Sequence, residues 1–489
     1  MTAHITEAPA RPDAAPNQLA RNKLTTFDIV FFVVAAAAPL MVVAGGSPLA
    51  FLIGGIGAPG SYVVAGIAYV LFALGFTAMA QHLPNTGAFY AFIRRGLSPS
   101  IGIGSAWMAL ASYSLICFGF YGALGYFAQS TVKNLLGVDV PWPIWALAGV
   151  IIVGFIGYRQ INIGARVLGI LMLAEVLILV VLAIAILFNG GPEGMSAEPF
   201  LPSNVFAPGS GAMFVLALGA FLGFESTAIY SEEARDARRS IPRATYISVG
   251  FLALFYGFAT WIATVGFGTK GILTVLAGKD FGNMYFMLAN SYLGHAAQVV
   301  MEVLIITSVF AAIIAFHNAS TRYMFALGRE HILPRRFALT HDTYQSPSFG
   351  SLVMTVLSAV AVLVTAVLGG DPYLHLLLWT NGVGIVGIVL LQILCAFAII
   401  RFFWKSRRGH SVIRVVIAPI ASAIILTGGL LLMLANFELL TGLKGWINVA
   451  LIAPLIVLGI AGFCYGKATN AQQSVVDDEK TADLVSVEE

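Results

Sequence analysis

Apolar positions in this chain neither alternate nor follow a narrow stripe; they run on for about twenty residues at a time, separated by short polar segments. Twelve such runs are read, at approximately 27–54, 59–82, 101–131, 142–159, 164–188, 210–231, 244–268, 296–326, 349–368, 375–404, 413–435 and 446–466. About twenty consecutive apolar residues let an α-helix cross the ~30 Å hydrocarbon core of a bilayer. A transmembrane β-barrel would show shorter, alternating segments. The pattern therefore predicts an all-α polytopic membrane protein with 12 transmembrane helices.

Two runs are irregular. The first carries Pro39 near its middle and Gly45, Gly46 and Pro48 further on. The sixth is interrupted by Gly219 and Gly223 and then holds Glu225 where an apolar residue is expected. Proline removes an amide donor and clashes with the preceding turn. Backbone groups freed at membrane depth persist only where protein or a watery cavity satisfies them. Interrupted helices at corresponding places in two halves are a pointer to a transporter's binding site. Spans 1 and 6 lie five apart, which predicts two five-helix repeats, 27–188 and 210–404, followed by a helix pair at 413–466.

Composition agrees: 59% of the 489 residues are hydrophobic and 10% charged, against about 25% charged in soluble domains. The net charge of +3 says little, but its distribution says more. With the N-terminus cytoplasmic, every Lys and Arg except Lys133, Lys270, Lys279 and Lys444 falls on one side. The positive-inside rule then places both termini in the cytoplasm of a multi-pass protein in the cell (plasma or inner) membrane. Residues 1–26 have no apolar core and are expected to be a disordered tail rather than a signal peptide, as is the polar stretch 467–489. Cys117, Cys395 and Cys464 fall inside spans and have no disulfide or metal spacing. No cofactor, metal or nucleic-acid partner is expected. Neither a His-Glu-x-x-His pattern nor a Gly-x-x-x-x-Gly-Lys-[ST] loop occurs, which speaks against an intramembrane enzyme and a nucleotide-driven pump.

Four stretches, in order, resemble the amino acid–polyamine–organocation superfamily of permeases. They are "LTTFDIVFFVVAAAAPLMVV" at the first span, "LPNTGAFYAFIRRGL" after the second, "GFESTAIYSEEARDARRSIPRA" at the sixth and "STRYMFALGREHILPRRF" closing the eighth. The resemblance covers about residues 24–410. It implies a LeuT-type 5+5 inverted repeat plus two C-terminal helices, and alternating-access transport of an amino acid or amine bound between the broken first and sixth helices. On that reading Ala38, Pro39, Leu40, Met41, Phe221, Leu222, Gly223 and Phe224 contact substrate. A half-helix N-terminus suits a carboxylate, and a half-helix C-terminus suits an ammonium group. The sequence also departs from the family pattern. Ala38-Pro39-Leu40-Met41 replaces the usual Gly-rich triplet, and Glu175 stands where many members carry a Lys.

Among ionisable residues, Glu175 lies near mid-membrane, nine residues beyond Arg166, where an unpaired carboxylate is expensive. Glu175, Glu225 and His317 are therefore the candidates for coupling or gating, with H⁺ or Na⁺ as the coupling ion and H⁺ favoured. Glu302 reads as interfacial or structural, and Asn318 as part of a helix rather than a glycosylation site. Phe221 and Phe224 are the aromatics best placed to contact an amine. The expected function is secondary active transport of an amino acid, by proton coupling or exchange. The alternatives are a polyamine or cationic-amine permease, or a transporter-like nutrient sensor.

Overall fold

The structure, a computed structural model, describes the backbone of residues 24–83, 88–159, 165–208, 210–278, 281–341 and 346–487, and the side chains of these except 88, 165–168, 229, 232, 281 and 470–487. Most of the expected N-terminal tail, the 84–87 part of the loop motif, Lys279 and the Arg166 side chain lie outside that description.

The described residues are predominantly helical, and among them the only β pairing is an isolated bridge between Leu24 and Ala234. The first apolar stretch contains α1 (Thr26–Ala37), a π-helical turn (Met41–Gly46), α2 (Ser47–Gly54) and α3 (Ala58–Ala80). A short amphipathic α4 (Ala88–Gly96) leads into the long α5 (Pro99–Leu136), followed by α6 (Trp142–Arg159) and α7 (Ala165–Asn189). Two short helices, α8 (Pro202–Val205) and α9 (Met213–Gly219), precede a four-residue α10 (Ser226–Ile229). Then come α11 (Ala237–Phe267), α12 (Thr269–Ala277), α13 (Met284–Leu293), α14 (His295–Arg329) and α15 (Ser348–Val367). The chain closes with α16 (Trp379–Trp404), α17 (Ala418–Ala435), α18 (Phe437–Thr441) and α19 (Trp446–Val487).

Local chemistry explains the boundaries. Thr25 and Asp28 form a reciprocal capping box that starts α1. Ser98 caps α5 by accepting from the Ile101 amide, and α5 ends on Gly137 in the left-handed conformation. Ten stretches of the described chain are long and apolar enough to cross a membrane, the first being Thr26–Ala80 with 55 residues. The chain is a multi-pass membrane protein. Its outward side chains are apolar, Phe188 and Leu254 being mostly exposed, as lipid contact requires.

The sixth apolar run, 210–231, is broken where its glycines predict: α9 and α10 are separated by turns at 220–225. The apolar stretch of the last span ends at Thr469, but the polar stretch expected to be disordered from 467 is helical, because α19 continues to Val487 through residues that include neither Gly nor Pro. At the centre α5 packs against α4, α6, α14, α16 and α19, while α3 packs against α11. This arrangement surrounds the two interruptions with buried helices.

Candidate functional site

The first interruption begins where Ala38 ends α1. Its φ of 45° and ψ of 70° are left-handed values that only glycine adopts easily, and its amide turns back to Ala35 O. Helical bonding resumes when the Val42 amide donates to Ala38 O at 2.9 Å. Pro39, Leu40 and Met41 are thus the first residues of a new half-helix, whose early amides lack helical acceptors. Pro39 has none to offer. The Met41 amide donates to Ser308 Oγ of α14 at 3.4 Å. Glu175 of α7 turns its carboxylate toward the Leu40 amide and the Ser308 hydroxyl. Glu175 is buried, as are Ala38, Leu40 and Met41. Just before the break, the Ala37 carbonyl accepts from Tyr256 Oη at 2.9 Å.

The second interruption lies directly against the first. Gly223 has φ 103°, and a Cβ built there would stand 2.9 Å from Ala36 Cβ, so both the backbone and the close approach require glycine. Glu225 precedes α10, yet its side chain does not cap that helix. It reaches back to accept from the Gly223 amide at 3.1 Å, and it accepts from Tyr113 Oη of α5 at 2.6 Å. Neighbouring amides are satisfied locally: Phe221 donates to Leu218, Leu222 to Gly219, Phe224 to Phe221 and Ser226 to Gly223. Beside the break, Tyr69 Oη donates to Leu218 O and to Gln392 Oε1 of α16.

The structure therefore brings Ala38–Met41, Leu222, Gly223, Glu175 and Glu225 around two abutting breaks. Phe221 and Phe224 are also there, but packed into an aromatic cluster on α3. Phe221 stacks on Tyr69 at 4.9 Å, and Phe224 sets its ring edge-on to Tyr69, Phe72 and Phe76. His317 is not part of this region: its Nε2 meets Ser351 Oγ of α15 at 2.9 Å, and the ring lies against Gly157 of α6. Glu302 is buried and accepts from Gln298 Nε2, one turn away on its own helix.

Beyond the breaks lies an ion pair that sequence spacing does not reveal. Arg322 Nε donates to Glu233 Oε1 at 2.9 Å, and both side chains are nearly buried. The guanidinium lies 5.2 Å over the Tyr230 ring, which stacks on Phe32 of α1. Across the same place the Leu24 amide donates to Glu233 O and its carbonyl accepts from the Arg235 amide. A cavity of about 60 Å³ borders the pair, lined by Leu24, Phe32, Tyr230, Asn318 and Thr321. Closer to the same end, Glu330 accepts from Tyr90 Oη and pairs with Arg94. Tyr113, Ser308, Tyr69 and Gln392 complete the group that sequence reasoning did not connect. Among the described residues no cluster of three His, Cys, Asp or Glu side chains is arranged to hold a metal.

The site is thus a pair of interrupted helices in contact within a membrane bundle, each interruption met by a buried carboxylate. The chain belongs to the amino acid permease family, whose model matches residues 24–463, and so to the amino acid–polyamine–organocation permeases. It is 22% identical over 311 residues to the low-affinity putrescine importer PlaP of Escherichia coli, a match covering 62% of this chain and 66% of that protein. It is 22% identical over 318 residues to the branched-chain amino acid permease BcaP of Bacillus subtilis, covering 61% and 66%. It is also 25% identical over 334 residues to the histidine permease HisP of Lactococcus lactis, covering 66% and 68%. The match to the first two relatives thus spans just under two thirds of their length.

Proposed function

We propose that the chain is a secondary active transporter working by alternating access, and that it binds its substrate as an organic cation rather than as a zwitterionic α-amino acid. The observation that carries this reading is the disposition of amide donors at the breaks. At the first, Pro39 has no donor, the Met41 amide is bonded to Ser308 and the Leu40 amide faces Glu175. At the second, the Gly223 amide is held by Glu225. A substrate carboxylate would compete with the chain's own carboxylates for these donors and be repelled by them. An ammonium group would instead be attracted by both.

On this reading the membrane topology has twelve spans. The run Thr26–Ala80 is two spans divided at Gly55–Gly57, and the broken segment from Ser210 to Glu232 is the sixth. They form two inverted five-helix repeats and a C-terminal pair, with both termini in the cytoplasm of a cell membrane. Glu225 and Glu175 are the candidate proton carriers, and the Glu233–Arg322 pair is the closure on the cytoplasmic side. The amino acid expected from the sequence remains the competing substrate, and relatives of both kinds exist.

Uptake of a radiolabelled aliphatic diamine and a radiolabelled branched-chain amino acid into proteoliposomes, with and without a pH gradient, tests the proposal. The diamine should accumulate, and the gradient should drive it. Saturable transport of the neutral amino acid without transport of the diamine overturns the substrate class. Tight binding without any flux of either compound indicates a sensor and overturns transport itself.

A further inference from the structure

Four membrane-span ends converge at one surface of the bundle, and the charge there is one-sided. His82 follows the end of α3, and Arg238 stands at the start of α11. The segment joining α16 to the next span contributes Lys405, Arg407, Arg408 and His410, flanked by Arg401 and Arg414. Residues 372–437 contain no Asp or Glu at all. Among the described residues, none of these Lys and Arg side chains forms an ion pair, whereas Arg94, Lys133, Arg239 and Arg322 do.

The group is built rather than scattered. His82 Nε2 and His410 Nε2 meet at 3.2 Å, and both rings rest against Phe403. His410 Nδ1 lies 3.3 Å from Arg414, whose guanidinium is itself fixed by Leu74 O and Thr77 Oγ1 of α3. Arg408, at φ 49°, is folded back over the Phe402 ring at 4.5 Å. Trp404, mostly exposed, marks the end of α16, at the depth where aromatic side chains sit beside headgroups.

We propose that this surface is a binding site for the phosphate headgroup of an anionic phospholipid, held by Arg408, Arg414 and the His82–His410 pair. Basic clusters directly flanking membrane helices attract anionic lipids at about 1 kcal/mol per cation, roughly a fivefold gain in affinity each. Here the cations lie at span ends, where headgroups are, and no carboxylate of the chain pairs with them. The groups facing His82 are Arg408, Arg238 and His410, and those facing His410 are Arg414 and His82. Partial burial first, and then these cations, hold both imidazoles below the ordinary histidine value. The sign follows. Without an anion the pair resists protonation, and a bound phosphate restores it, so the lipid must bind more tightly as pH falls through the imidazole range.

The test uses the full chain in detergent, titrated with short-chain phosphatidylglycerol and, separately, phosphatidylcholine, read by native mass spectrometry at pH 7.5 and 5.5. Phosphatidylglycerol adducts should exceed phosphatidylcholine adducts and strengthen at the lower pH. The exposed pair Lys405→Gln/Arg408→Gln should weaken them by about 25-fold, at fivefold per cation, while thermal stability in detergent stays unchanged. His82→Gln/His410→Gln should lose the strengthening at pH 5.5, leaving the weaker adducts that Arg408 and Arg414 hold at both pH values. Equal binding of the two lipids, unaltered adducts in the Lys405/Arg408 variant, or displacement by millimolar inorganic phosphate each overturns the proposal. The last outcome would mark a free-anion site.

Discussion

Glu175 offers the most direct test of the site, because truncation and neutralisation should do different things. Glu175→Ala removes the carboxylate that faces the Leu40 amide and the Ser308 hydroxyl, in a place closed to water. Two buried donors left without an acceptor cost about 1–3 kcal/mol each, or about 2–6 kcal/mol together, before any cavity is counted. Glu175→Gln keeps one oxygen acceptor and nearly the same volume. It loses only charge assistance, about 1 kcal/mol. The expected order of thermal stability in detergent is therefore wild type, then Gln close behind, then Ala far below. Transport should split differently. A carboxylate within about 4–8 Å of a bound cation contributes about 2–4 kcal/mol at an effective dielectric of ~20. Its neutralisation should raise the KM for a diamine by about 30- to 1,000-fold in proteoliposomes. A wild-type KM in Glu175→Gln refutes its role as counter-charge, and equal stability of the Ala and Gln variants refutes its role at the break.

Gly223→Ala should abolish transport and lower thermal stability by about 2 kcal/mol or more, since its φ of 103° excludes a side chain and Ala36 Cβ stands 2.9 Å from the added atom; wild-type uptake would refute the abutting breaks. Glu233→Gln leaves Arg322 buried without its partner, a penalty of about 3–5 kcal/mol in the closed arrangement. A cysteine placed at Asn318 should then react faster with a membrane-impermeant thiol reagent, and the exchange Glu233→Arg/Arg322→Glu should partly reverse that. Tyr113→Phe removes a hydroxyl that donates to Glu225 and should shift the pH profile of uptake; Glu225→Gln should flatten that profile, and an unchanged profile in both variants would leave Glu225 with a structural role only. His317→Asn should change uptake less than twofold, because the ring bonds to Ser351 away from the breaks.

The breaks themselves were legible in the sequence because their causes are local: Pro39, Gly219, Gly223 and an acid at 225 can each be read without a partner. What closes the breaks was not legible. Tyr113 is 112 residues from Glu225, and Ser308 is 267 residues from Met41; no periodicity links such positions. Phe221 and Phe224 show the opposite case. Their place beside the break made them substrate candidates, but Tyr69, Phe72 and Phe76 form a stripe on α3 at three- and four-residue spacing. That stripe was visible in the sequence and accounts for where both rings pack. The sixth span was expected to break at its glycines, and it does so through the left-handed turn at Gly223.

Two departures from the family pattern, which look unrelated along the sequence, make one arrangement in space. A Gly-rich turn would leave several amides free and create a positive half-helix end. Here Ala38 turns its amide back to Ala35 and Pro39 supplies none, so only Leu40 and Met41 have early amides to offer. An acid rather than a lysine at 175 then faces Leu40 and, through Ser308, lies one bond from Met41. On the proposed reading, the local field at the first break draws cations rather than anions. The second break repeats the device with Glu225 on the Gly223 amide. Substrate preference on this account is set by which backbone donors the chain has already used. It follows that restoring glycine at 38 and 39 while replacing Glu175 with Gln should shift preference from the diamine toward the amino acid. A variant of that kind whose substrate ratio does not move would show that the selectivity lies elsewhere.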